Sequence, residues 1–295
     1  MKARTFLPTY LDPKAFRAAY VRTIGRVRFE GYTKDGSPTI LDWVELDGYV
    51  PELLRVLTEL KGGELESVSV EVFEDATPKR LPDRGKPITP DHVNSGFTWF
   101  ETRVGAGAKG IVIFRTEEFP KVLCHELLHF YGIGEIHDEH VLRDAIAMFD
   151  APGISSTLSI NEAVTELHAT IINALIRTRM SERMSERMSE RMSERMSERM
   201  SERMSERMSE RMSFDEALRR EYTHAMRTIA LMRSHFGIAK SASSWKGWKE
   251  TTHAFSYYVV KGIFLAHALK LDPCAFKHLK EKRRSQPFTM TVTGV

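Results

Sequence analysis

The sequence predicts an α+β fold in which strands come first and helices follow. Two patterns and the composition carry that expectation. Short runs of β-branched, aromatic or alternating residues cluster before residue 115, and beyond it apolar residues recur at helical spacing. The chain has 295 residues, of which 42% are hydrophobic and 28% charged, as in a globular protein of one large domain or two small ones.

Taken in order, Arg26 to Tyr32, Ile40 to Leu46, Ser67 to Phe73, Phe97 to Arg103 and Gly110 to Phe114 read as strands. Pro51 to Lys61 reads as a helix with Pro in its first turn and Gly62-Gly63 behind it. The prolines between Pro78 and Pro90 mark a loop. Glu117 to Tyr131 is an amphipathic pattern that stops at Gly132, and Glu139 to Phe149 is a second. Ser159 can cap a third, which runs through Glu162 and Glu166. Phe214 to Phe236 and Thr251 to Leu269 are long helical patterns.

From Arg179 to Glu210 the tetrapeptide Arg-Met-Ser-Glu repeats eight times without error, and Arg211-Met212-Ser213 follows. Arg, Met and Glu favour a helix, and each Arg precedes a Glu by three residues, a weak helical ion pair. A period of four misses the turn of 3.6, so successive Met side chains step about 40° around the axis. No straight groove buries such a stripe. The segment is expected to be an exposed helix or a disordered insertion. The organisation is therefore residues 1–178 as the N-terminal region, 179–213 as the repeat insertion, and 214–295 as helices completing the same domain.

The net charge is +3, which gives no general preference for nucleic acid. The basic tail at Lys277, Lys280, Lys282, Arg283 and Arg284 reads as a solvated chain end. The two cysteines, Cys124 and Cys274, make no disulfide framework. Met1 to Tyr20 lacks the apolar core of a secretory signal, and Phe255 to Leu269 is too short and polar to span a bilayer. A soluble intracellular protein without membrane association is expected.

The chemistry lies in His125-Glu126-Leu127-Leu128-His129. Histidines four apart share one helix face and can hold one Zn²⁺, with Glu126 beside them as general base. Zinc lowers the pKa of its water and polarises a scissile carbonyl. The rival reading is two ordinary histidines satisfied by carboxylates. The strand Gly110 to Phe114 just upstream, if it lies at a sheet edge, can hold an extended peptide substrate. A catalytic zinc needs a third protein ligand. Glu162 and Glu166, four apart on an otherwise apolar helix, fit as ligand and as hydrogen-bond partner of a histidine. The rival ligand cluster is Glu135, His137, Asp138 and His140.

These two motifs, His125-Glu126-x-x-His129 and Asn161-Glu162-Ala163-Val164-Thr165-Glu166, resemble the gluzincin branch of the zincin metallopeptidases. In thermolysin-like members the second motif reads Asn-Glu-Ala-x-Ser-Asp; here Thr replaces Ser and Glu replaces Asp. The resemblance covers about fifty residues. It implies a zincin-like fold, a peptide or protein substrate, His125, His129 and Glu162 as zinc ligands, Glu126 as catalytic base, and Glu166 supporting a histidine. Asn94 to Thr98 and Ile113 to Glu118, followed by the motif helix, are similar to uncharacterised metallopeptidase-like proteins of large DNA viruses. That likeness implies a virus-encoded protein of the host cytoplasm or virion.

Three-residue spacing from His129 to Gly132 also resembles metzincins, which would make Glu135 the ligand and require a methionine turn. Met148, inside an expected helix, suits that turn poorly, and Gly132 then serves as a helix cap. Cys124 points away from His125 and reads as a small buried residue. His168 reads as structural. His253, Tyr257 and Tyr258 are candidates to stabilise an oxyanion, or else core aromatics. The expected function is hydrolysis of peptide bonds; the alternative is a non-catalytic binding module whose metal is structural or vestigial.

Overall fold

The computed structural model describes residues 7–100, 109–136, 158–193, 213–239 and 245–271. Two compact units divide the chain. The first comprises Met1–Arg80, Pro90–Glu135 and Val164–Glu221; the second comprises Leu81–Thr89, Ile136–Ala163 and Tyr222–Val295. The division falls within two continuous helices.

The first unit is built on a five-stranded mixed sheet. Its strands are β1 (Phe16–Ile24), β2 (Val27–Lys34), β3 (Val68–Glu74), β4 (Gly96–Phe100) and β5 (Lys109–Ile113), in the order β1-β2-β3-β5-β4. β1 and β2 form a hairpin whose two-residue turn places Gly25 at φ +58, where a side chain would be strained. β2, β3 and β5 run parallel, and β4 returns antiparallel to β5 as the end strand. A parallel pair needs a crossover, and between β2 and β3 it is helix α1 (Trp43–Lys61).

Period-two alternation sorts the sheet's side chains. Val27, Phe29, Val70, Val72, Ile111 and Ile113 face a core closed by α1, by α3 (Phe119–Tyr131) and by α4 (Ile160–Ser193). On the other face Phe73, Val112 and Phe114 pack with Leu11 and Phe16 in a smaller cluster. A four-residue helix, α2 (Pro90–Val93), precedes β4. Buried Arg115 ties that approach down by donating to the carbonyls of Asn94 and Asp91, each at 2.6 Å.

Three strand expectations change. Residues 40–46 are not a strand: Asp42 caps α1, its Oδ1 accepting from the amides of Val44 and Glu45 at 3.0 Å. The helix therefore starts two turns before Pro51, which lies in its interior. β1 was not expected, because a register shift between Ala18 and Tyr20 breaks its alternation. Gly110 to Phe114 is not an edge: β5 pairs on both sides, and its Ile111, Val112 and Ile113 are buried. A continuous apolar run is what an internal strand requires, and the end strand on this side is β4.

α4 runs 34 residues, roughly 50 Å at 1.5 Å per residue, and carries the first repeats. Met180 packs against the main core over Gly48 of α1. Arg177 pairs with Glu45 at 2.7 Å and Arg183 with Glu52, so the start of the repeat lies along α1. Met184 is already 64% exposed, as a 40° step requires. Residues 194–212 lie outside the described residues, as do the basic tail, Cys274 and the expected helix over residues 139–149.

The second unit holds the later part of α5 (Phe214–His235), a π-helical turn at Ser256–Val260 and α6 (Lys261–Ala268). The expected helix from Thr251 thus begins later and opens on a wide turn. Its core is aromatic: Phe236, Trp245, Trp248 and Phe255 stack edge-on or tilted. Buried Glu250 accepts from Trp248 Nε1 at 3.1 Å and from the Phe255 amide at 2.9 Å. The proline-rich loop enters this unit, where the Ile88 amide donates to the Lys249 carbonyl at 2.9 Å. Among the described residues no helix is long and apolar enough to cross a membrane.

Candidate metal centre

α3 presents His125, Glu126 and His129. Every residue of this helix is buried except His129, which is half-buried. Leu123, Leu127 and Leu128, all fully buried, fix its rotation against the sheet. It stops at Gly132, at φ +64, whose amide donates to the carbonyls of His129 and Leu128. The Ile133 amide also reaches Leu128 O, at 2.9 Å, so the end is a Schellman turn. Gly132 is thus a cap, as expected.

α4 presents Glu162 and, one turn later, Glu166. Its start is capped by Ser159, whose Oγ accepts from the Glu162 amide at 3.2 Å. Asn161 clamps the backbone of Ile136: its Oδ1 accepts from the Ile136 amide at 2.7 Å and its Nδ2 donates to that carbonyl at 3.2 Å. The Asn of the second motif therefore works on backbone.

His125, His129 and Glu162 form a group that can hold a metal ion, with one ligand atom from each lying within 4.8 Å of the others. The imidazole rings of the two histidines stand 4.9 Å apart between centroids. Two imidazole nitrogens and one carboxylate oxygen are a donor set that zinc accepts in catalytic sites, and other divalent metals accept it too. Glu135 is exposed and is not part of this group. His137, Asp138, His140 and Met148 lie outside the described residues. Cys124 is buried beside His125, and burial, with Glu166 adding to it, pushes its thiol pKa well above the ordinary value. It is a small buried residue outside the ligand group, as expected.

Glu166 Oε2 lies 3.1 Å from His125 Nδ1. With the imidazole neutral, Nδ1–H donates to that carboxylate and Nε2 presents its lone pair. Glu126 is 6% exposed, and Thr98 Oγ1 on β4 reaches both its Oε2, at 2.9 Å, and its backbone carbonyl, at 3.0 Å. Two residues before Thr98, Gly96 lets β4 pack closely: a Cβ there would stand 2.9 Å from Val112 O and 3.3 Å from Val122 Cγ1. His168 packs on Gly134, whose φ of +79 and missing side chain admit the ring. Burial lowers its pKa, and it stays outside the ligand group. A structural part fits it.

Of the three oxyanion candidates, Tyr257 has its hydroxyl on Glu162 Oε2 at 3.2 Å. The Tyr258 ring lies 6.0 Å from the Lys261 ammonium, and the His253 carbonyl accepts from the Tyr257 amide at 2.9 Å. Tyr257 sits in the π-helical turn, and Ser256 Oγ in the same turn accepts from the Ser159 amide at 3.0 Å. Such wide turns recur at functional sites.

Sequence reasoning missed Thr98, Gly96 and Lys121. The first two lie inside the quoted stretch Asn94 to Thr98, but their contacts, with β5 and with α3, are ones that spacing does not reveal. Lys121 precedes His125 by one turn, a signal within reach, but its carboxylate partners come from elsewhere. Comparison of the chain with family models, curated proteins and solved structures returns no match.

Proposed function

We propose that this chain is a zinc-dependent metallopeptidase of zincin-like fold, with His125, His129 and Glu162 as metal ligands. The observation that carries the reading is convergence: motifs 33 residues apart in the chain bring three ligand atoms within 4.8 Å. Glu126, adjacent to one ligand, comes with a partner that orients it.

Bound zinc would supply a water of lowered pKa and polarise the scissile carbonyl. Glu126 takes a proton from the attacking water and passes it to the leaving nitrogen. Thr98 holds that carboxylate in place by donating to its Oε2. Glu166 fixes the His125 tautomer. Tyr257, whose hydroxyl donates to Glu162 Oε2, would have to turn that proton from the carboxylate to serve the oxyanion that develops on the carbonyl oxygen. β4, the end strand carrying Thr98, offers backbone groups on which an extended peptide can add. These features support hydrolysis over a structural site, which has no use for an oriented base.

The test is cleavage of a quenched-fluorescence peptide library by zinc-loaded protein. Wild type should cleave members of the library. Glu126→Gln should retain zinc and lose roughly 10²–10⁴-fold in rate. Full activity in Glu126→Gln would overturn the mechanism. Zinc retention without cleavage by wild type would favour a non-catalytic module.

A further inference from the structure

Lys121 sits four residues before His125 on α3, so the two share a face. It is 8% exposed. Its ammonium stands 2.8 Å from Glu118 Oε1, 3.6 Å from Glu166 Oε1 and 3.9 Å from Glu221 Oε2. Burial works against its charge, but Glu166, Glu118 and Glu221 outweigh it and hold the pKa above the ordinary lysine value. Glu221 lies on α5, beyond the repeats, so chain from both sides of the insertion meets at this lysine.

Glu162 and Glu166 pose a problem of roles. Both are glutamates on one helix, one turn apart, and both reach the metal helix. A carboxylate one turn from a ligand is itself a capable ligand, and a second carboxylate on the ion would occupy the position that substrate and water need. The two oxygens of Glu166 are divided: Oε2 meets His125 Nδ1 at 3.1 Å, while Oε1 meets Lys121 at 3.6 Å.

We propose that Lys121 is a positioning residue that keeps Glu166 off the metal, so that Glu162 alone of the two glutamates is a ligand and one coordination position stays open. The inference rests on the metal reading above. Lys121 touches no ligand in this role; it acts through Glu166, by engaging one oxygen and leaving the other for the histidine. A neutral residue at 121 frees Glu166 to turn toward the ion or to leave His125.

The experiment uses the full chain, with zinc affinity measured by chelator competition and coordination read from the visible spectrum of the cobalt-substituted protein. The set is wild type, Lys121→Met, Glu166→Gln and the double variant. Lys121→Met should change zinc affinity about 10-fold or more, the scale of changes around metal ligands. It should also alter the cobalt spectrum. In the Glu166→Gln background Lys121→Met should change neither quantity, because the residue through which it acts is gone. If Lys121→Met fails to fold, Lys121→Gln with Glu118→Gln removes a close ion pair together and should show the same shift. A merely structural lysine would lower apo-protein stability in both backgrounds and leave affinity and spectrum unmoved; that result overturns the proposal. Failure of wild type to take up zinc would sink the metal reading and this inference together, and is distinct from wild-type binding with silent Lys121 variants.

Discussion

The two helices of the candidate site differ in how they are specified. α3 carries His125, Glu126 and His129 within one turn and a half, on a helix buried at every other position. α4 carries the half-buried Glu162 and Glu166 near its start and becomes a tandem repeat that is exposed at Met184. Local spacing is enough to present two imidazoles to one ion. The roles of two glutamates one turn apart depend on what other elements bring to them: Tyr257 to Glu162, and Lys121 to Glu166.

The comparison breaks most easily at α3. His129→Ala removes a proposed ligand, and zinc affinity should fall by more than the 10–100-fold typical of changes around ligands; isothermal titration measures it. Zinc binding as tight as wild type would mean that the half-buried histidine is no ligand. Next comes the buried support. Leu127→Ala should cost about 2–5 kcal/mol in urea unfolding, as for large-to-small core changes. Met184→Ala, on the exposed part of α4, should stay within about 0.5 kcal/mol. Equal costs would mean that the repeat is packed as tightly as α3.

Thr98→Val tests the strand's hold on Glu126 while keeping the shape of the side chain. A hydrogen bond to a charged group contributes about 1.5–3 kcal/mol. Peptide cleavage should therefore slow by roughly 10-fold or more with zinc affinity unchanged, and Thr98→Ser should restore it. Loss of zinc together with rate would instead assign Thr98 to the metal site itself.

The smallest effect is with pH. Lys121 and Lys79 outweigh burial and hold the Glu118 pKa down at about 2, below its ordinary value of 4.5. A lowered carboxylate pKa stabilises the fold where the group is ionised in both states. That contribution is present above about pH 4.5 and is lost as pH falls toward about 2. Acid unfolding of Lys121→Met should lose part of this slope; an unchanged profile would remove Lys121 from the cluster.

What the sequence made legible follows the same division. The end of α3 at Tyr131, the Gly132 cap and the Ser159 cap rest on local chemistry and are found where expected, while the helix starts two residues later, at Phe119. The start of α1 was misread because Gly48 and Pro51 look like breakers and Ile40 to Val44 is rich in β-branched and aromatic residues. Asp42 with Glu45 three residues on is the capping pattern that marks it. β1 escaped notice through its bulge, and β5 was placed at an edge although its unbroken apolar run suits an interior strand. Thr98 and Lys121 could not be assigned parts, since each acquires its meaning from a residue on another element.

The central claim is that Glu162 and not Glu166 completes the metal site with His125 and His129. Zinc content after chelator-free purification, measured for wild type, Glu162→Ala and Glu166→Gln under identical dialysis, tests it directly. The account predicts near-stoichiometric zinc in wild type, loss in Glu162→Ala, and weakened but saturable zinc in Glu166→Gln. Absence of zinc from wild type, or full retention in Glu162→Ala with loss in Glu166→Gln, would contradict it.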